Sequence, residues 1–296
     1  MSEHSVKSDY IKCKIILEVI KMETIGPLMI VEGPNNSKVP HSRSLFINGS
    51  EKVLIDAGSD AQKLLHLNKE FGIDLIVNTH YHPDHTQFNY LFKQTEKWLN
   101  PIEFESIRTI DGAAKMNGVY EEWGEEGFKR WKQMIPKDFI ESILSISGKY
   151  EYNKEYIFGD VKVIFLHTPG HTKGLACPYF PDLGVVYAGD YDMTSFGPWY
   201  NGTDGSIEDF IESGKMLLTL DADTYITAHH KGIFTKEEFK EEMEKYLAII
   251  DKRDEKIAHY AQKSQTFEEL ANIGIFYHKK LLNEFMLRTW ERVGIR

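Results

Sequence analysis

Residues 80–85 read His-Tyr-His-Pro-Asp-His, three imidazoles and a carboxylate within six positions of a chain that holds 12 histidines among 296 residues. Imidazole nitrogen and carboxylate oxygen are the donors that a borderline cation such as zinc takes. Pro83 stops a helix from running through the stretch. In a loop, alternate side chains can then converge on one ion while their neighbours reach a second. A merely solvated polar loop gives no reason for three histidines so close together, so the run marks metal chemistry. Further along, His171 sits in Thr168-Pro169-Gly170-His171-Thr172, Asp190 follows Ala188-Gly189, and His229-His230 follow Ala228. Each of these alone would pass for a turn residue. Their weight comes from their order and from the apolar run that precedes each one.

Those apolar runs are the elements that must position the chemistry. Leu75-Ile76-Val77 reads as a short buried strand that ends at Thr79-His80. Val161 to Leu166 runs into the turn bearing His171, Val185 to Ala188 into Gly189-Asp190, and Tyr225 to Ala228 into His229-His230. Four buried strands thus each deliver a histidine or aspartate at the C-terminal edge, where sheet-based folds assemble sites. Upstream, Lys14 to Ile20 is β-rich, and Leu45-Phe46-Ile47 and Val53-Leu54-Ile55 flank Asn48-Gly49-Ser50-Glu51, a hairpin pattern. Asp56-Ala57-Gly58-Ser59 breaks the second of these strands. Leu64, Leu65, Leu67 and Phe71 then predict a helix stopped at Gly72.

The stretch 91–155, with Trp98, Trp123 and Trp131, has the Glu/Lys content and spaced apolar residues of helices rather than core strands, and reads as a lid-like insertion. Thr235 with Glu238, and Thr266 with Glu269, are capping-box patterns. Phe239, Met243, Leu247, Ile250 and Ile257 follow at near-helical spacing. The expected division is therefore a catalytic domain over 1–234 and a helical C-terminal region over 235–296. Tyr191, Met193, Phe196, Trp199 and Tyr200 crowd behind Asp190, either as loop packing or as the lining of a substrate pocket, with Gly197 and Gly202 letting the loop bend. His167 is expected in the core or supporting the ligands, and His41, His66, His259 and His278 at the surface or in ordinary packing.

Composition bounds the rest. Thirty-five Lys and Arg against 45 Asp and Glu give a formal charge of -10. Nucleic-acid binders concentrate positive charge to displace counterions, so DNA or RNA is not the expected partner. A hydrophobic fraction of 42% supports a real core. Cys13 and Cys177 read as buried free thiols. No apolar run approaches the ~20 residues that cross a bilayer, and the N-terminus shows no signal-peptide pattern. The expectation is a cytoplasmic protein with a small-molecule substrate and no membrane or nucleic-acid partner. The helical tail leaves a homodimer open.

The ordered set resembles the metallo-β-lactamase superfamily of hydrolases. The resemblance runs through Asp56 in Leu-Ile-Asp-Ala-Gly, the His-x-His-x-Asp-His run at 80–85, His171 in Thr-Pro-Gly-His-Thr, Asp190 in Ala-Gly-Asp and a histidine at 229 or 230, and covers roughly residues 13–234. It implies an α+β fold, a four-layer αββα sandwich of two mixed sheets flanked by helices, here with a helical C-terminal extension. It also implies two divalent metal ions, zinc foremost, with iron or manganese as alternatives. His80, His82 and His171 would hold one ion; Asp84, His85 and the histidine at 229/230 the other, with Asp190 bridging and Asp56 buttressing through hydrogen bonds. The family's last histidine is commonly followed by Gly, whereas here the sequence is Ala228-His229-His230-Lys231-Gly232; His229 is favoured because it comes first after the strand. The long interval between His85 and His171 fits an inserted lid.

The activity so implied is metal-assisted hydrolysis of a small ester, thioester, lactone or phosphoester, with Asp84 and Asp190 as the catalytic carboxylates. Two cations roughly 3.5–4 Å apart would share a water and lower its pKa toward ~7. The alternative is an iron-dependent oxidoreductase of the same superfamily, of the sulfur-oxidising type. A flavin-coupled di-iron branch fits less well, because it usually carries Glu where this chain has His82. A non-catalytic member is a third reading, disfavoured because the ligand set is complete.

Overall fold

The computed structural model describes residues 22–296, so the strand expected over 14–20 and Cys13 lie outside the described residues. Alternating apolar residues build a first sheet from β1 (Glu23–Ile25), β2 (Leu28–Val31), β3 (Ser44–Asn48), β4 (Lys52–Ile55), β5 (Leu75–Val77), β6 (Glu96–Leu99) and β7 (Gly148–Lys149), laid side by side in chain order. β1 to β4 are antiparallel, and the expected hairpin closes with Asn48 opposite Lys52. β4 to β7 are parallel. Successive side chains point to opposite faces. Leu45, Ile47, Val53, Ile55, Leu75 and Val77 therefore face inward, while Phe46, Leu54 and Ile76 face outward onto Leu64 and Leu67 of helix α1 (Ala61–Phe71). Asp60 caps α1 by accepting from the N–H groups of Gln62 and Lys63. Gly72, at φ 80°, ends it as anticipated.

Beyond β5 the loop expected over 80–85 gives way to the short helix α2 (Pro83–Thr86), because Pro83 takes the first helical position, where its missing N–H costs nothing; the stretch expected as an insertion follows. The expectation of helices alone over 91–155 is corrected at both ends, because Glu96–Leu99 is β6 and Gly148–Lys149 is β7. Charge hid β6: Lys97 is buried, its stem packed and its ammonium donating to the carbonyls of Phe92 (2.6 Å) and Thr95 (2.7 Å). Between the two strands lie α3 (Pro101–Phe104), α4 (Ile110–Met116), α5 (Val119–Met134) and α6 (Lys137–Leu144). Leu99, Phe104, Trp131, Phe139 and Tyr81 gather there in a separate core.

The second sheet has the order β13-β12-β11-β10-β9-β8, from β8 (Glu155–Phe158), β9 (Val161–His167), β10 (Ala176–Phe180), β11 (Val185–Gly189), β12 (Thr224–Thr227) and β13 (Ile233–Thr235). Its pairings are antiparallel except β11 with β12. Val163, Phe165, Val185, Tyr187 and Ile226 meet the inward residues of the first sheet in one buried cluster. On the outer face, Val186, Ala188 and Tyr225 pack on Phe210 of α7 (Ile207–Leu217) and on Phe239, Met243 and Tyr246 of α8 (Lys236–Ala261). The result is the four-layer αββα sandwich of two mixed sheets.

Thr235 and Glu238 form the expected capping box of α8. The second pattern is only half realised. Thr266 accepts from the Glu269 N–H, but the Glu269 carboxylate takes the Gln265 N–H. The chain closes with α9 (Phe267–Ala271) and α10 (Phe285–Ile295), a helical C-terminal region. Among the described residues no helix is long and apolar enough to cross a membrane.

Candidate metal centre

β4 and β5 run in one direction, and the alternation β9-β10-β11-β12 makes β9, β11 and β12 parallel to one another. Their C-terminal ends therefore deliver Asp56, His80, His171, Asp190 and His229 to one edge of the sandwich. The loop at 56–59 passes directly beneath α2. Ala57 N–H donates to the His85 carbonyl (2.8 Å), and a Cβ on Gly58 would lie 1.6 Å from the Asp84 carbonyl oxygen, so only glycine fits. Gly170, at φ 133°, likewise lets the turn before His171 rest against Phe210.

His80, His82, His171 and Asp190 present ligand atoms that all lie within 4.8 Å of one another, and so do Asp84, His85, Asp190 and His229. Asp190 is common to both groups. Its Oδ1 lies 2.9 Å from His85 Nε2 and its Oδ2 3.0 Å from His171 Nε2. His82 Nδ1 stands 2.9 Å from His171 Nε2, and His229 Nε2 stands 3.4 Å from Asp84 Oδ2. His230, half-buried at φ 53°, belongs to neither group; its carbonyl accepts from Arg43 Nη2 (2.7 Å) and its side chain lines the mouth of the site.

The partners of the remote ring nitrogens decide where the lone pairs point. Asp56 Oδ2 faces His85 Nδ1 at 2.7 Å, so Nδ1 carries the proton and Nε2 offers its lone pair inward. Thr79 Oγ1 donates to Asp56 and therefore accepts from His80 Nδ1 (3.1 Å), which leaves His80 Nε2 free. The Trp199 carbonyl (3.0 Å) does the same for His171, and the Ser37 carbonyl (2.6 Å) for His229. As a result, Nε2 of His80, His85 and His229 and Oδ1 of Asp190 are buried with no hydrogen-bond partner, although His85 Nε2 and Asp190 Oδ1 lie close enough for one. Each such orphan costs about 1–3 kcal/mol. These four, divided between the two donor groups and all imidazole nitrogen or carboxylate oxygen, fit divalent cations held there.

The family model of the metallo-beta-lactamase superfamily matches residues 39–229. The chain belongs to that superfamily. An uncharacterised protein of Aquifex aeolicus is 30% identical over 218 residues, covering 72% of this chain and 89% of that one. A probable metallo-hydrolase of Methanocaldococcus jannaschii is 30% identical over 138 residues, covering 45% of this chain and 59% of its own. In fold, the chain is similar to a metallo-β-lactamase family protein from Thermus thermophilus, with a TM-score of 0.65, 20% identity and 90% of each chain covered.

Electrostatics in this superfamily member divide the histidines. Burial, reinforced by neighbouring imidazoles, holds His80 and His82 well below the usual histidine range and keeps them neutral. Burial also pushes on His85, His171 and His229, but nearby carboxylates outweigh it and raise all three. Asp190 is held well below the usual carboxylate range, because His85, His171 and His80 overcome its burial. Burial lifts Asp192 to about 6 despite the attraction of His229.

Several residues of the superfamily member's site have no signature in sequence. Thr79 relays between Asp56 and His80, and Asp192 lines the cavity. Asn117, Tyr277, Leu287 and Trp290 wall that cavity from the insertion and the C-terminal region. Of the aromatic run after Asp190, Phe196 and Trp199 line the cavity, whereas Tyr191 and Tyr200 are buried in packing. His167 is half-buried, packs on Tyr152 and meets the Lys173 carbonyl across the turn that carries His171. Cys177 is a buried free thiol, pushed up to about 12 by burial.

Proposed function

We propose that this protein is a metal-dependent hydrolase that holds two divalent cations, zinc foremost, and cleaves an ester, thioester, lactone or phosphoester of a small molecule. The observation that carries this reading is the sharing of Asp190 between the two donor groups, His80/His82/His171 and Asp84/His85/His229. Cations held there would supply Lewis-acid polarisation of a substrate oxygen and a water acidic enough to ionise near neutral pH. The chain's own residues do the rest. Asp190 holds the two groups in fixed relation, and the tautomers set by Asp56, Thr79, Trp199 and Ser37 keep the ring lone pairs aimed inward. Asp84, partly exposed at the cavity floor, can orient a water and take its proton. A substrate would enter the cavity of about 400 Å³ above these residues. A cytoplasmic setting belongs to the same reading and suits the free thiol of Cys177.

The test is elemental analysis of the purified chain together with a panel of the four substrate classes. About two zinc or manganese per chain and turnover of one class are expected, with Asp190→Ala lowering kcat/KM by at least about 100-fold. Full activity in Asp190→Ala with metal still bound would overturn the reading. About one iron per chain with visible absorption would move the assignment to an oxidoreductase.

A further inference from the structure

We propose that the substrate carries an extended apolar chain, an acyl or alkyl tail, which leaves the metal centre past Trp290 and lies in a second cavity of about 440 Å³. This rests on the hydrolase reading and names the substrate class it lacks. The two cavities adjoin: Pro40, Pro83, Asn117 and Trp290 line both. Pro83 sits between the candidate ligands His82 and Asp84, so the second cavity borders the metal centre itself and a tail crossing this border would start there.

The chemistry of the walls selects the occupant. Phe88, Trp131, Ile135, Phe139 and Met286 surround the second cavity, contributed by the loop after α2, by α5 and α6 with the turn between them, and by α10. Among the described residues no lysine or arginine lines either cavity. The acidic side chains are Asp84, Asp190 and Asp192 in the first and Asp138 in the second, and the histidines of the first, His230 apart, belong to the donor groups. Away from the donor groups, an anionic or polyanionic substituent finds no lysine or arginine to pair with. An apolar chain instead gains up to about fourfold in binding per buried methylene. Met134, half-exposed at 50%, marks where the second cavity opens to solvent, so a longer tail can emerge there.

The test has two separate readouts on the metal-loaded full chain. Binding of butanoate, octanoate and decanoate by calorimetry is expected to tighten at least about tenfold from the shortest to the longest. The kcat/KM for the matching 4-nitrophenyl esters is expected to rise in the same order. Met286→Trp and Ile135→Trp each place an indole in the second cavity from a different element, and each should bring the decanoate-to-butanoate ratio to within about twofold. Unchanged melting temperatures establish that the variants fold. If affinity ignores chain length, or if the ratio survives in both folded variants, the proposal is overturned and the cavity belongs to some other occupant. If carboxylates bind with the expected length dependence but no ester is turned over by two-metal protein, the hydrolase reading falls and the tail assignment stands.

Discussion

His85 sets the terms at the scale of single residues. Its Nδ1 is engaged by Asp56 and its Nε2 faces Asp190, so in a neutral ring a lone pair confronts a carboxylate at 2.9 Å. A proton or a cation must lie between them, and the same holds for His171 against Asp190. The adjacent histidines 229 and 230 differ for an equally local reason. The Ser37 carbonyl anchors His229 Nδ1 and turns Nε2 inward, while the left-handed backbone of His230 sends its side chain to the rim. His229→Ala is therefore expected to lower bound metal from about two ions per chain to about one, and His230→Ala to leave it at two. Elemental analysis after dialysis measures both, and the reverse pattern would exchange their roles.

At the scale of elements, the insertion is tied to the site through Glu103. Asn100 caps α3 and its Nδ2 donates to Glu103 Oε2 (2.8 Å), while the hydroxyl of Thr172, next to His171, donates to Glu103 Oε1. Burial, with Asp204 adding to it, lifts the Glu103 carboxyl from 4.5 to about 8. The folded chain thus binds this proton more tightly than the unfolded chain. Stability from this group is complete below pH 4.5 and declines as pH rises toward 8. Glu103→Gln mimics the protonated form and should remove a pH-dependent loss of roughly 2–4 kcal/mol between pH 5 and pH 8.5. Urea unfolding at the two values checks this; parallel pH dependence in both proteins would show that Glu103 is not the source.

At the scale of the whole molecule, the centre joins the two sheets. His80, His82, Asp84 and His85 follow β5 of the first sheet, and His171, Asp190 and His229 follow β9, β11 and β12 of the second. Cations bound across that edge favour the folded state by mass action, on the order of 4 kcal/mol at a thousandfold excess over Kd. Chelation is accordingly expected to lower Tm by roughly 10 °C, and readdition of metal to restore it. Calorimetry with and without chelator tests this, and an unchanged Tm after proven metal loss would place the donors apart. The helical C-terminal region packs on the sandwich, with Phe239, Met243 and Tyr246 of α8 covering the outer face of the second sheet.

What was legible in the sequence was local. The run at 80–85, the apolar strands with a histidine or aspartate at their ends, the hairpin at Asn48 and the cap at Thr235 all depend on neighbours within a few positions, so composition and period reveal them. The strand at 96–99 was hidden because its buried Lys97 is satisfied by carbonyls that only the folded loop supplies. The choice of His229 over His230 rests on Ser37, 192 positions away, and the cavity walls on Asn117, Tyr277 and Trp290. Sequence by itself determined which donors exist and in what order the strands present them. Which donors face one another, which nitrogen each offers and what walls the cavity were decided by tertiary contacts between distant segments, which leave no periodicity behind.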